Sequence, residues 1–175
     1  MLISETNYLN WNKKISAKGW YRIFWAALGI YCILALLVLG IYLLYIGQWQ
    51  IFMLALAAFV LARGIVSPLI YLAYKRQRPY QKFHFDTVYS RLLSSNTKNF
   101  SSFPSDHAIS LSSICFVFCW FYPGWIWFLL PIVLLNGWAR VVLGYHYISD
   151  VLVGWLLGLA CGLAVIFWLG PLVVR

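Results

Sequence analysis

Phe103-Pro104-Ser105-Asp106-His107-Ala108 opens an apolar segment that runs on to Tyr122, and the way it begins decides how the chain is read. Proline ends what precedes it, and serine ahead of an apolar run is a preferred N-cap, so a helix is expected to start here. Its first turn carries a carboxylate and an imidazole into apolar surroundings, a costly place for titratable groups that serve no purpose. A helix N-terminus collects unpaired N–H groups and partial positive charge, which suits an anion and above all a phosphate. His107 stands beside whatever those groups hold.

Outward from this stretch the chain is far too apolar for a soluble domain. Of its 175 residues 63% are hydrophobic and 10% charged, against roughly 25% charged in soluble domains. An integral membrane protein of one domain, residues 1–175, is expected. The net charge of +9 points to anionic lipid headgroups or phosphates. Nucleic acid is not indicated, because no basic stretch is interleaved for groove or single-strand binding. Cys32, Cys115, Cys119 and Cys161 all lie in apolar runs without zinc spacing, and read as small hydrophobes. No cleavable leader is evident in residues 1–20, which lack a continuous apolar core.

Apolar stretches of spanning length cover about 21–46, 50–74, 106–122, 124–143 and 149–170, where a span needs about 20 residues. The expected fold is all-α: a polytopic membrane bundle of about five transmembrane helices. Residues 1–20 mix aromatic and aliphatic side chains with Lys13, Lys14 and Lys18, which suggests an interfacial helix or, equally, a solvated basic segment. The connections Gly47-Gln48-Trp49 and Tyr122-Pro123-Gly124 are short, so neighbouring helices pack antiparallel. Counting crossings puts the ends of spans two and four, and the starts of three and five, on one face. The polar clusters Lys75 to Pro79, Ser105 to His107 and Arg140 to Asp150 therefore share that face.

Their chemistry is complementary. His146 and Asp150 are four apart, which on a helix places them on one side, where the carboxylate can fix the imidazole tautomer. Arg140 and Arg78 offer planar forks for phosphoryl oxygens, with Lys75 and the N–H groups near Ser105 assisting. Phosphoryl transfer needs a nucleophile on one side of phosphorus and a proton donor on the other. His146 and His107 on separate helices supply the pair. With only four carboxylates in the chain no acidic cluster for magnesium is expected, and no cofactor is. A buried structural ion pair is the alternative reading of the His146 and Asp150 arrangement.

Residues outside these clusters stay open. Arg63, with Ser67 and Pro68 near mid-membrane, serves either a site or a structural pairing. Residues 75–104 are expected to form an active-site loop, its aromatic part a short interfacial helix and its serine-rich run a flexible lid, or equally a plain solvated loop, and His84 in it reads as a surface histidine. Asp106 either serves the helix dipole or tunes His107.

Taken together, Arg78-Pro79, then Pro104-Ser105-Asp106-His107, then Arg140 with His146 and Asp150, resemble the three signature motifs of the type 2 phosphatidic acid phosphatase superfamily. These are membrane lipid phosphatases with a haloperoxidase-like core. The resemblance implies that His146 is the nucleophile forming a phosphohistidine, Asp150 its orienting partner and His107 the general acid. It further implies that Arg78, Ser105 and Arg140 bind the phosphoryl group. Tyr71 stands where the family usually has lysine, so Lys75 or Arg76 is expected to replace it. Asp106 replaces a frequent glycine, and Ala139 a frequent serine. The Phe-Pro-Ser-Asp-His-Ala form is similar to bacterial undecaprenyl-diphosphate phosphatases of the bacitracin-resistance type.

The expected substrate is a polyprenyl diphosphate. Phosphatidylglycerophosphate, phosphatidic acid or lipid A is the second choice, and a non-catalytic lipid-binding or transport protein the third. The expected partners are membrane lipids and the lipid phosphate itself. The location is a bacterial inner or plasma membrane. Basic residues crowd the polar face, which by the positive-inside rule would be cytoplasmic. The resemblance implies an extracytoplasmic site instead.

Overall fold

The computed structural model describes residues 19–83 and 102–173. Most of the expected interfacial segment, His84 and the serine-rich part of the loop lie outside them. Helix α1 covers Gly19–Tyr45 and α2 covers Trp49–Ala73, the latter with a π-helical stretch over Val60–Val66. A four-residue helix α3 follows at Pro79–Lys82. Then come α4 at Asp106–Phe121, α5 at Ile126–Val142 after a 3₁₀ turn, and α6 at Ile148–Val173. No strand pairs occur among the described helices, and the all-α membrane bundle is as the apolar runs imply.

The helix count needs one refinement. Four segments are long and apolar enough to cross a membrane: Gly19–Tyr45, Trp49–Ala73, Pro123–Val142 and Ile148–Val173. The third apolar run yields α4, of only 16 residues, about 24 Å at 1.5 Å per residue against a hydrocarbon core of about 30 Å. It begins at Asp106 as expected, and Ser102, Pro104 and Ser105 ahead of it are fully enclosed. Non-helical backbone at such depth is tolerated where protein surrounds it.

Helix α4 is the central helix, and α6 packs most closely on it. Gly154, Gly158 and Gly162 repeat at four-residue spacing along α6. A Cβ at these positions would meet Ala108 at 2.8 Å, Ser112 at 2.0 Å and Phe116 at 2.9 Å. Small residues let backbones approach where lipid supplies no hydrophobic drive between helices. The core around them holds Leu43, Leu54, Val117, Phe118 and Leu129. Large apolar side chains face outward along the other sides, among them Tyr31, Ile41, Leu72, Trp127 and Trp168, the pattern of a lipid-facing surface. Cys32, Cys115 and Cys161 are buried and unpaired, as small hydrophobes would be.

Candidate active site

Two helix ends and a glycine turn bring the polar clusters together. Helix α5 closes in a Schellman motif. Gly144 takes φ 75°, its N–H donates to the Val141 carbonyl and that of Tyr145 to the Arg140 carbonyl, both at 3.0 Å. The turn folds the chain back, so His146 N–H also reaches the Arg140 carbonyl, at 3.3 Å. The Gly144 carbonyl in turn accepts from Tyr80 N–H at 3.1 Å, which anchors α3. Pro79 presets the first turn of α3, and the Gln81 side chain accepts from the Arg78 N–H at 3.2 Å. Arg78 is thereby fixed beside the turn that carries His146.

Helices α4 and α6 are joined at their starts. Ser105 N–H donates to the Asp150 carbonyl at 3.0 Å. Asp150 lies in the first turn of α6, and its carboxylate accepts from Tyr147 N–H at 2.9 Å, the returning half of a capping box. The same carboxylate accepts Ser102 Oγ at 2.6 Å and pairs with Arg76. Arg76 also reaches Ser149 Oγ and lies over the Tyr147 ring.

His146 is only 2% exposed. Its Nδ1 lies 2.7 Å from the Ser102 carbonyl, so that nitrogen carries the proton and donates it, leaving the lone pair on Nε2. The expected direct hydrogen bond from His146 to Asp150 is not formed, since the nearest carboxylate oxygen is 3.9 Å from Nδ1. The physical reason is that His146 precedes α6, which starts at Ile148, so the helical spacing assumed for the pair does not apply. Ser102 lies between them, with its hydroxyl on Asp150 and its carbonyl on His146. Burial, then the positive charge of Arg78, holds the His146 pKa well below 6.5; His107 and Arg140 act in the same direction, and the Ser102 carbonyl opposes them.

Arg140 is 9% exposed, near the end of α5, with α1 passing over it at Gly29. A Cβ on Gly29 would lie 3.1 Å from the guanidinium, and the Gly29 carbonyl accepts from Asn136 at 3.0 Å. Ser105 occupies the N-cap position of α4 as expected, but its side chain makes no capping bond. Its Oγ is buried without a partner among the described residues. A buried hydroxyl left unsatisfied is costly, and it fits an incoming acceptor oxygen.

Lys75 is exposed and pairs with no described residue. Tyr74 is extended, and extended backbone alternates sides, so Lys75 turns out while Arg76 turns in. Of the two candidates to replace a lysine at position 71, only Arg76 engages a partner in the site. Tyr71 itself donates to the Pro104 carbonyl at 3.0 Å. Asp106 is paired with Arg63 at 3.0 Å and accepts Ser67 Oγ at 2.7 Å. Sequence reasoning missed Ser102 altogether. The only signal for the turn that presents His146 was Gly144, placed just past an apolar run.

This geometry can be set beside known proteins. A family model described as the PAP2 superfamily matches residues 49–172. The chain belongs to the PAP2 superfamily. Among PAP2-related proteins, the chain is 42% identical over 73 residues to the bacitracin transport permease protein BcrC of Bacillus licheniformis, covering 41% of this chain and 34% of the relative. It is 29% identical over 115 residues to a lipid A 1-phosphatase of Rhizobium johnstonii, covering 66% and 44%. It is also 40% identical over 58 residues to an undecaprenyl-diphosphatase of Sulfolobus acidocaldarius, covering 33% and 28%. The chain thus spans less than half the length of these curated relatives. The crystal structure of Aquifex aeolicus LpxE superposes with a TM-score of 0.59 at 19% identity, covering 90% of this chain and 93% of that one. The PAP2 bundle is therefore shared, whatever each protein acts on.

Proposed function

We propose that the chain is a metal-independent lipid phosphatase that converts undecaprenyl diphosphate to undecaprenyl phosphate through a phosphohistidine. The observation that carries this reading is His146, buried, with Nδ1–H held by the Ser102 carbonyl and the Nε2 lone pair left to attack phosphorus. Arg78 and Arg140 supply charge for the equatorial oxygens and Ser105 Oγ a hydrogen bond. His107, in the first turn of α4, gives its proton to the leaving oxygen and then takes one from the water that attacks the phosphohistidine. Asp150 fixes Ser102 and so holds His146 indirectly, while Lys75 is left outside the site. Two of the four carboxylates, Asp106 and Asp150, are each bound to an arginine, which supports chemistry carried by side chains alone.

The diphosphate is favoured by the relative named an undecaprenyl-diphosphatase. A second reading, a phosphatase for a lipid phosphomonoester such as lipid A, phosphatidic acid or phosphatidylglycerophosphate, draws on the lipid A 1-phosphatase whose match covers 66% of this chain. The proposed setting is a bacterial inner membrane with the site facing outward.

The test measures phosphate release by the purified protein in detergent with EDTA, on undecaprenyl diphosphate and on phosphatidylglycerophosphate, alongside His146→Ala. Release from the diphosphate that ignores EDTA and disappears in the variant supports both substrate and mechanism. Preference for phosphatidylglycerophosphate overturns the substrate only. Activity that EDTA abolishes, or that survives His146→Ala, ends the histidine mechanism, and a lipid-binding protein becomes the better reading if neither lipid is cleaved.

A further inference from the structure

Arg63 lies part-way along α2 and takes no part in the site as described so far. A charge at that depth is expensive and rarely idle. The backbone around it is a π-helix, Val60–Val66, an arrangement frequent at functional positions. Pro68, just beyond, cannot donate to the helical ladder.

The guanidinium is only partly used. Its Nη1 meets Asp106 Oδ1 at 3.0 Å, and Ser67, fully buried, donates to the same oxygen. The Arg63 side chain stays 37% exposed while that of Asp106 is 14% exposed. An arginine has five N–H donors, and Arg63 has no second hydrogen bond or ion pair to a described residue. The rest of the fork is available to an anion.

Its position assigns the side of the site. Asp106 precedes His107 in the first turn of α4, and Arg63 lies within electrostatic reach of His107, as Arg78 and Arg140 do. His146 is instead carried by the turn between α5 and α6 and held by the Ser102 carbonyl. Arg63 therefore belongs to the proton donor's side, opposite the nucleophile, where the leaving group departs.

We propose that Arg63 is a leaving-group subsite: its unused N–H groups take an anion on the lipid side of the scissile P–O bond, so the site prefers a phosphoanhydride to a phosphomonoester. The inference rests on the phosphohistidine reading above. His146 Nε2 forms a bond to the terminal phosphorus, and the bridging P–O bond breaks with its electron pair staying on the bridging oxygen. That oxygen belongs to a lipid monophosphate and takes the His107 proton, while Arg63 neutralises the remaining charge. A phosphomonoester such as phosphatidic acid would release a neutral alcohol, and Arg63 would have nothing to hold. A competing role is open to Arg63, namely to neutralise Asp106 so that its carboxylate does not repel the phosphate.

The two products separate these roles, because inorganic phosphate occupies the phosphoryl site and undecaprenyl monophosphate the leaving-group side. Wild type, Arg63→Gln, Arg63→Lys and Arg63→Gln/Asp106→Asn are compared in detergent for kcat/KM on undecaprenyl diphosphate and for inhibition by each product. Arg63→Gln is expected to lower kcat/KM roughly 10- to 100-fold, the worth of a charge-assisted contact. It should also raise the inhibition constant of undecaprenyl monophosphate about tenfold more than that of phosphate. Arg63→Lys, which keeps the charge, should fall between, and Asp106→Asn should not restore the loss. Restoration in the double variant, or equal weakening of both products, would overturn the subsite. Unchanged phosphate inhibition also reports an intact fold, and Arg63→Lys carries the comparison if the glutamine variant does not elute as a single species. Wild type that cleaves only phosphomonoesters overturns the subsite and the substrate while leaving the histidine chemistry standing, and wild type that cleaves no lipid removes both readings.

Discussion

His146 is held neutral by its surroundings, and this has a consequence for stability as well as for attack. Its pKa in the folded protein lies well below the 6.5 of a free imidazole because it is buried and faces the Arg78 charge. In the unfolded chain it returns to about 6.5, so below that pH the unfolded state binds the extra proton and the folded state does not. Stability from this group is fully present above about pH 6.5 and is lost as the pH falls, by up to about 1.4 kcal/mol per pH unit. Melting temperatures in detergent from pH 7.5 to 5 should therefore fall less steeply for His146→Asn than for wild type. Parallel profiles would mean that burial of His146 does not produce the slope. The partner that sets its tautomer could not have been read from the chain. Ser102 is 44 residues away, and the contact depends on how residues ahead of α4 tuck beneath the bundle. Asp150 looked like the direct partner because the fourth residue on is a helical neighbour, as the resemblance also implied, but the Gly144 turn delays the helix past His146.

At the scale of elements, the run length of apolar residues revealed nearly every helix, because a span must satisfy its own backbone and little else in the sequence competes with that signal. What it hid was how closely the helices approach. The glycines of α6 look like ordinary members of an apolar segment, yet they decide the α4–α6 contact on which both helix starts depend. Gly158 is the tightest: an added Cβ would lie 2.0 Å from Ser112 Oγ and 2.4 Å from the Ile109 carbonyl. Ser112 Oγ is itself bound to the Ala108 carbonyl at 2.7 Å, and the Ile109 oxygen is backbone, so relief requires parting the helices. Gly158→Ala should thus cost about 1 to 3 kcal/mol, as overpacking does. Gly124→Ala, with nothing within 4 Å, should stay within about 0.5 kcal/mol of wild type. Unfolding of the two variants in one detergent makes the comparison; equal loss would show that the α4–α6 approach does not depend on the glycine. The π-helical turn around Arg63 was equally hidden, since hydropathy does not distinguish one extra residue per turn.

Across the whole molecule, charge placement disagrees with the proposed function over which side is which, and aromatic placement does not decide between them. Exposed Tyr45, Trp49, Trp127 and Trp168 lie at helix ends away from the site, and exposed Trp20 and Tyr74 at the other ends, so aromatic belts mark both surfaces without telling them apart. The basic residues do differ between the faces, but most of those in the structure are engaged. Arg63 and Arg76 neutralise Asp106 and Asp150, and Arg78 and Arg140 belong to the proposed phosphoryl site. A charge held by the fold for chemistry is weak evidence about insertion, which leaves Lys13, Lys14, Lys18 and Arg22, with the unengaged Lys75, as the argument for a cytoplasmic site. Against them stands the proposed substrate, whose recycling is expected on the outer leaflet. Helix α6 decides the matter because it starts at the site and runs 26 residues, about 39 Å, to the opposite surface. If the site faces outward, green fluorescent protein fused after Arg175 should fluoresce and alkaline phosphatase fused there should be inactive. The reverse pair would place the site in the cytoplasm, where the N-terminal lysines set the orientation and the substrate must be presented from the inner leaflet.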